Sequence, residues 1–283
     1  MVPHWERLST NIRSHNVIRR TSANNNSIDN VLSLSFEELP SYLKHYFLYL
    51  AHFPEDYAIV VEDLAYYWAA EGIPRPRYYD GATIRQVADG YIEELVKRNM
   101  VISKRDARTS RFETCQLHDV MREVCLLKVK EGNSIHTVEI RASTATSQSL
   151  CKSCKIALHQ LDRSYDPKWE MRNPKLKSLL LIKKKSWEKN RMTSRLCFTR
   201  LQLMRVLDLS YAVFKGGKLP SSIAMLIHLR YLSLSEAIVT HLPSSMWNLK
   251  QLLDLNLDVK GRLPTHMPDF MKEMRELTYL CSI

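Results

Sequence analysis

Glycine is scarce in this 283-residue chain, which has seven in all. The single Gly followed by Lys, at Gly217 and Lys218, runs directly into Leu219, so there is no phosphate-cradling glycine loop with its trailing Lys and Ser or Thr. Neither G-x-S-x-G nor H-E-x-x-H occurs, which removes the nucleophile-elbow hydrolases and the helix-borne zinc proteases. Catalysis by this chain alone is not expected. Long apolar runs are missing too. No stretch reaches the roughly 20 residues of a spanning helix, and the opening Met1, Val2, Pro3, His4, Trp5, Glu6 and Arg7 lack the apolar core of a secretory signal. A cytoplasmic location is expected.

Cysteine is sparse and scattered, at Cys115, Cys125, Cys151, Cys154, Cys197 and Cys281, a pattern of reduced thiols rather than a disulfide framework. Cys151 and Cys154 form a CxxC near His159, but a structural zinc site needs four ligands and no second pair follows at finger spacing. Ile156 and Leu158 instead read as the buried side of a strand. What is abundant is positive charge: the net charge is +11 and the pI about 9.3. The densest run, Lys183, Lys184, Lys185, Lys189 and Arg191, lies between repeats and reads as a solvated loop.

Residues 1–30 carry a short helical hint in Trp5, Leu8 and Ile12, then a polar break at Asn24, Asn25, Asn26 and Ser27. They read as the remnant of a preceding helical subdomain and its linker. From residue 31 the apolar spacing is helical. One short helix runs from Ser33 and stops before Pro40. A second buries Leu43, Tyr46, Phe47 and Leu50, and a third buries Val61, Leu64, Ala65 and Trp68 before Gly72 and Pro74 end it. Thr83 and Gln86 form a capping-box pattern ahead of the stripe Ile84, Val87, Ala88, Tyr91, Ile92, Leu95 and Val96. Met100, Val101 and Ile102 then read as a strand, with Phe112–Leu117 as its partner. Helices followed by a hairpin with a polar tip describe a winged-helix domain over 31–132. The tip carries Lys104, Arg105, Arg108 and Arg111, which makes duplex binding an alternative. Sequence-reading side chains on the long helix are not evident, so nucleic acid is not the expected partner.

A polar, aperiodic stretch around Ser143–Ser149 marks a boundary, with 133–155 read as linker and entry strand. Beyond it leucine blocks begin at Leu176, Met204, Leu229, Leu252 and Leu277, spaced 28, 25, 23 and 25 residues. A second signature keeps the same phase: Leu219-Pro220-Ser221-Ser222-Ile223 recurs as Leu242-Pro243-Ser244-Ser245-Met246 and as Leu263-Pro264-Thr265-His266-Met267. This is a leucine-rich repeat over 156–283, a solenoid in which each unit buries its apolar side only against its neighbours. Leu207, Leu209, Leu232, Leu234, Leu255 and Leu257 should point inward. Their alternates Asp208, Ser210, Ser233, Ser235, Asn256 and Asp258 should line the concave face, either as a protein-recognition surface or as a clamp on the chain's own winged-helix half. The last block ends in a strand without a polar cap, which reads as C-terminal truncation.

One stretch joins the halves in function: Gln116-Leu117-His118-Asp119-Val120-Met121-Arg122-Glu123-Val124. Asp119 is placed to cap an amphipathic helix that buries Val120, Val124 and Leu127. His118 would then stand at the positive helix start, where an imidazole can donate to a phosphate brought by another domain. The stretch resembles the "MHD" motif of plant intracellular nucleotide-binding leucine-rich-repeat disease-resistance proteins, with Leu117 in the place of Met. Leu48–Asp56 resembles a second motif of the same family, which often has Cys where this chain has Tyr46. The resemblance, to the coiled-coil type of receptor, implies that His118 touches the β-phosphate of ADP held by a nucleotide-binding domain absent here, with Asp119 and Leu117 supporting it. Exchange for ATP would free the winged helix for defence signalling, with a pathogen effector or guarded host protein read by the repeats. ADP or ATP is then a cofactor of the whole receptor, not a tight ligand of these residues. The fold class expected is α+β and multidomain, a winged helix followed by an α/β-type repeat solenoid. The alternative function is a non-catalytic repeat scaffold whose winged helix only packs.

Overall fold

The computed structural model describes residues 33–72, 80–131, 137–140, 155–159, 173–182, 193–194, 197–259 and 274–281. Cys151, Cys154, the lysine-rich run, the third Leu-Pro signature and the hint at Trp5, Leu8 and Ile12 lie outside them.

Residues 33–37 are helical, and Pro40 stands just before α1 (Ser41–Leu50), which buries Leu43, Tyr46, Phe47, Tyr49 and Leu50. A short strand, β1 (Ile59–Val60), leads into α2 (Val61–Glu71). Gly72 closes α2 in the left-handed region at φ 69°, where a Cβ would meet the Arg230 guanidinium at 3.2 Å. Helix α3 (Ile84–Lys97) starts with the capping box in full. Thr83 Oγ1 accepts from Gln86 N, the Gln86 side chain accepts from Thr83 N, and Val87, Ala88, Tyr91, Ile92 and Leu95 are buried. The hairpin is β2 (Val101–Arg105) against β3 (Phe112–Leu117), antiparallel, and β1 adds to the free side of β3 through Ile59 opposite Cys115. Helix α4 (Asp119–Glu131) follows. Helices closing on a three-stranded sheet of order β1-β3-β2 are a winged helix.

The wing tip is held by its own groups. Asp106 accepts from the backbone of Arg108 and Thr109 and from the Thr109 hydroxyl. Lys104 pairs with Glu113 at 2.8 Å, and the Arg105 guanidinium lies 3.9 Å from the centre of the Phe112 ring. Two of the four tip cations are therefore engaged within the hairpin itself.

The second half is built on one parallel sheet. Its strands are β4 (Thr137–Ile140), β5 (Lys155–His159), β6 (Ser178–Ile182), β8 (Val206–Asp208), β10 (Tyr231–Ser233), β11 (Asp254–Asn256) and β12 (Tyr279–Cys281), in order β12-β11-β10-β8-β6-β5-β4. A separate two-stranded parallel pair joins β7 (Thr193–Ser194) to β9 (Val213–Phe214) on the return side. Each strand is about one repeat from the next, and Leu207, Leu232, Leu255 and Leu280 fall opposite one another in register. The Leu-Pro-Ser-Ser signature supplies the return segments: Pro220 and Pro243 each precede a 3-10 turn, at Ser221–Met225 and Ser244–Asn248. Leu207, Leu209, Leu232, Leu234, Leu255 and Leu257 are all buried between strands and returns, as the period requires. The same sheet takes in β4, from the stretch read as linker.

Part of the opposite face of this sheet is covered by the winged-helix half. Ala157, Leu180, Ile182, Val206 and Tyr231 belong to the same apolar cluster as the winged-helix core, and α2 lies against β8 and β10.

Candidate functional site: the helix start at His118 and the seam beneath α2

Alternation along β3 decides the environment of the first candidate. Leu117 points inward and is buried; His118 and Asp119, at the strand's exit, are exposed. The His118 carbonyl accepts the first helical hydrogen bond, from Arg122 N at 2.9 Å. His118 itself therefore occupies the cap position. Asp119 is the first residue inside the helix, which corrects its expected role: its carboxylate faces the positive helix end from within the first turn and does not cap. The buried side of α4 is also one residue out of phase with expectation. Met121, Val124 and Cys125 are buried, whereas Val120 and Leu127 are 37% and 54% exposed. The set 121, 124, 125 has the i, i+3, i+4 spacing of one face, and valine at 120 drew the sequence reading to its neighbour.

Arg122 was not singled out in the sequence, and it is the residue that ties the site together. It is buried, its Nε donates to the Phe53 carbonyl at 2.7 Å, and its Nη1 lies 3.9 Å from Glu55. The turn of the Leu48–Asp56 motif is thus fastened to the helix that His118 begins. The available signal was its place directly beside Met121 at the edge of the buried stripe.

The second candidate group was the polar row of the repeats. Asp208, Ser233 and Asn256 are opposite one another in register, and each accepts the backbone N–H two residues on: Ser210 at 2.8 Å, Ser235 at 3.3 Å and Asp258 at 3.0 Å. These are Asx- and Ser-type turns that let the chain leave the strand, so this part of the row has a structural duty within each repeat. Ser210 Oγ also joins Asp208 at 2.5 Å and Ser233 Oγ at 2.9 Å. Asp208 and Ser233 are buried, while Ser210, Ser235, Asn256 and Asp258 are half-buried.

What covers Asp208 is α2. The Tyr67 hydroxyl donates to Asp208 Oδ2 at 2.7 Å, and the Tyr67 ring meets Tyr231 edge-on with centroids 4.7 Å apart. Tyr66 lies against Tyr279 at 5.1 Å. At the far end of α2, buried Glu71 accepts from Ser178 Oγ and pairs with Lys155 Nζ at 3.0 Å. Arg205 Nη1 donates to the Glu71 carbonyl at 2.9 Å, which satisfies one of the orphan acceptors of the helix end. Burial pushes the Asp208 carboxyl above the usual carboxylate range, and the hydrogen bonds from Ser210 and Tyr67 oppose that shift.

A winged helix with a leucine-rich-repeat sheet packed against it is the architecture defined by these contacts. Residues 53–125 match the family model described as the disease resistance protein winged helix domain. The chain is 58% identical to the probable disease resistance protein RF45 of Arabidopsis thaliana over 98% of its own length and 27% of that protein's. It is 50% identical to the probable disease resistance RPP8-like protein 2 of the same plant, over 99% of this chain and 31% of that one. Residues 53–125 thus match a disease resistance winged helix, and the chain as a whole is similar to a segment of disease resistance proteins that spans under a third of their length. No helix among the described residues is long and apolar enough to cross a membrane.

Proposed function

We propose that these residues are the regulatory and recognition portion of a cytoplasmic plant immune receptor, without catalytic activity of their own. The repeat sheet holds the winged helix in a restrained arrangement, and His118 reads a diphosphate brought by a nucleotide-binding domain in the rest of the receptor. The observation that carries this is the seating of α2 on the polar face of the repeat sheet, through Tyr67 on Asp208 and Glu71 on Lys155 and Ser178. A face engaged in this way cannot at the same time be open to a foreign protein. Recognition of an effector or guarded host protein by the row Asp208, Ser210, Ser233, Ser235, Asn256 and Asp258 therefore requires α2 to leave, and that release is the signalling step.

His118 suits a sensing role because its ring is exposed and makes no hydrogen bond or ion pair among the described residues, so its donors are available to an incoming phosphate. One charge-assisted hydrogen bond is worth roughly 1.5–3 kcal/mol, about a tenfold to hundredfold bias on a two-state equilibrium. The test is His118→Ala in a receptor of the relatives' full length, with cell-death signalling as the readout. Signalling without a pathogen trigger is expected, while the melting temperature of the 283-residue chain stays within about 1 °C, since surface changes cost under about 0.5 kcal/mol. Unchanged signalling would leave the repeats as a scaffold with a packing module.

A further inference from the structure

At the Asp63 end of α2 the seam with the repeat sheet gathers carboxyl groups, while Lys155, Arg205 and the Arg230 guanidinium lie at its other end, by Glu71 and Gly72. Asp63, half-buried, comes from the first turn of α2, Asp208 and Asp254 come from β8 and β11 on the facing sheet, and both sheet residues are buried, Asp254 to 2% exposure. Asp208 is provided for by Tyr67 and Ser210. No hydrogen bond to the Asp254 carboxylate exists among the described residues, and no ion pair reaches Asp63, Asp208 or Asp254. The cations at this end are committed elsewhere: Arg85 of α3 holds Glu62 at 2.5 Å and Asp89 at 3.2 Å, and also donates to the Phe112 carbonyl. The remaining titratable neighbours are Glu62, Tyr66 and Tyr67 on α2, Tyr57 before β1, Tyr211 after β8, and Tyr231 and Tyr279 on the sheet. None of these can neutralise a carboxylate at neutral pH.

We propose that the seam is a proton-operated latch: Asp63 and Asp254, gathered with Asp208 under α2 without a countercharge, must take up protons for the winged helix to stay seated, and their ionisation drives it off the repeats. The inference rests on the seated arrangement proposed above. Its chemistry is that of like carboxyl groups forced into one poorly hydrated seam, where the neutral forms are the ones tolerated.

The direction follows from linkage. Burial, with the neighbouring carboxylates adding to it, pushes Asp63 up to about 7 and Asp254 up to about 8. Once α2 lifts and water enters, both return toward the ordinary value near 4. The seated state therefore binds more protons than the released one. Its advantage is complete at acid pH and shrinks as pH rises from about 4 through the seated-state values of about 7 and 8. Each proton involved changes the ratio about tenfold per pH unit while it is being lost. Between about pH 6 and pH 8 the seated-to-released ratio should fall on the order of a hundredfold.

Small-angle X-ray scattering of the whole chain across this range tests it. The wild type should be compact near pH 6 and expand toward pH 8, while Asp63→Asn with Asp254→Asn, whose amides mimic the neutral acids, should stay compact at both. Asp254→Asn alone should retain a weaker response, and far-UV circular dichroism of each variant reports that it is folded. A wild type compact at both pH values overturns the latch and leaves the seating intact. Expansion of the folded double variant at pH 8 also overturns it, since other groups would be responsible. Expansion of every form at pH 6 overturns the seating itself, and the latch with it.

Discussion

Glu71→Ala is expected to unseat the winged helix from the repeat sheet. The Glu71 side chain is 4% exposed and Lys155, its partner at 3.0 Å, is 14% exposed. Removing the carboxylate strands an ammonium group in a poorly hydrated seam and leaves Ser178 Oγ without its acceptor. Breaking a buried pair from one side typically costs about 3–5 kcal/mol, most of it the penalty on the charge left behind. The Arg205 bond to the Glu71 carbonyl uses backbone and survives, as does α2 itself, whose ending depends on Gly72. The loss should therefore fall on docking, with far-UV circular dichroism nearly unchanged. Glu71→Gln keeps an acceptor for Ser178 and should cost less. In a full-length receptor Glu71→Ala should signal without a trigger, by the same release that His118→Ala is expected to produce from the nucleotide side.

Leu232→Ala is expected to have a comparable cost by a different route. Leu232 is fully buried and lies in register between Leu207 and Leu255. A leucine truncated at such a position loses roughly 3–5 kcal/mol through transfer free energy and the cavity left behind. In a solenoid the damage is shared, because each repeat is stabilised chiefly by its neighbours. Denaturant unfolding followed by circular dichroism should show an earlier transition that reports the repeat strands, while the winged-helix core around Phe47, Tyr91 and Ile92 persists. A cost below about 1 kcal/mol would mean that the ladder tolerates a hole at its centre, contrary to the close packing of protein interiors.

Much of each half was legible in the chain because its signals are local. The Thr83 and Gln86 capping box and the Val87 to Leu95 stripe identify α3 without reference to anything distant. The leucine blocks set the strand phase of the repeats because one repeat's inward residues are copied in the next. The strand β1 was missed, since two residues, Ile59 and Val60, carry no periodicity and owe their form to pairing with Cys115 and Thr114.

The docking of the halves was legible only as an alternative. Helix α2 has two working faces. One, with Leu64, Ala65 and Trp68, reads as core, while the other, with Asp63, Tyr67 and Glu71, has the composition of a solvated surface. Its partners Asp208, Ser178 and Lys155 are equally polar, so nothing in the hydrophobic pattern announces the contact. Arg122 escaped for a similar reason: a buried guanidinium that hydrogen-bonds a carbonyl 69 positions away is a tertiary fact. His118 was expected at the start of a helix, and it stands exposed between the end of β3 at Leu117 and the first residue of α4.

Restraint of the winged helix requires that α2 rest on the repeat sheet in solution. A double-mutant cycle on Glu71 and Lys155 in the whole chain, with Glu71→Ala, Lys155→Ala and the pair measured by denaturant unfolding, reads that contact directly. Docked halves should give a coupling of at least about 2 kcal/mol, because removing the second partner relieves the charge stranded by the first. Effects that add to within about 0.5 kcal/mol would mean the two side chains do not meet, and the restrained arrangement would have to be given up.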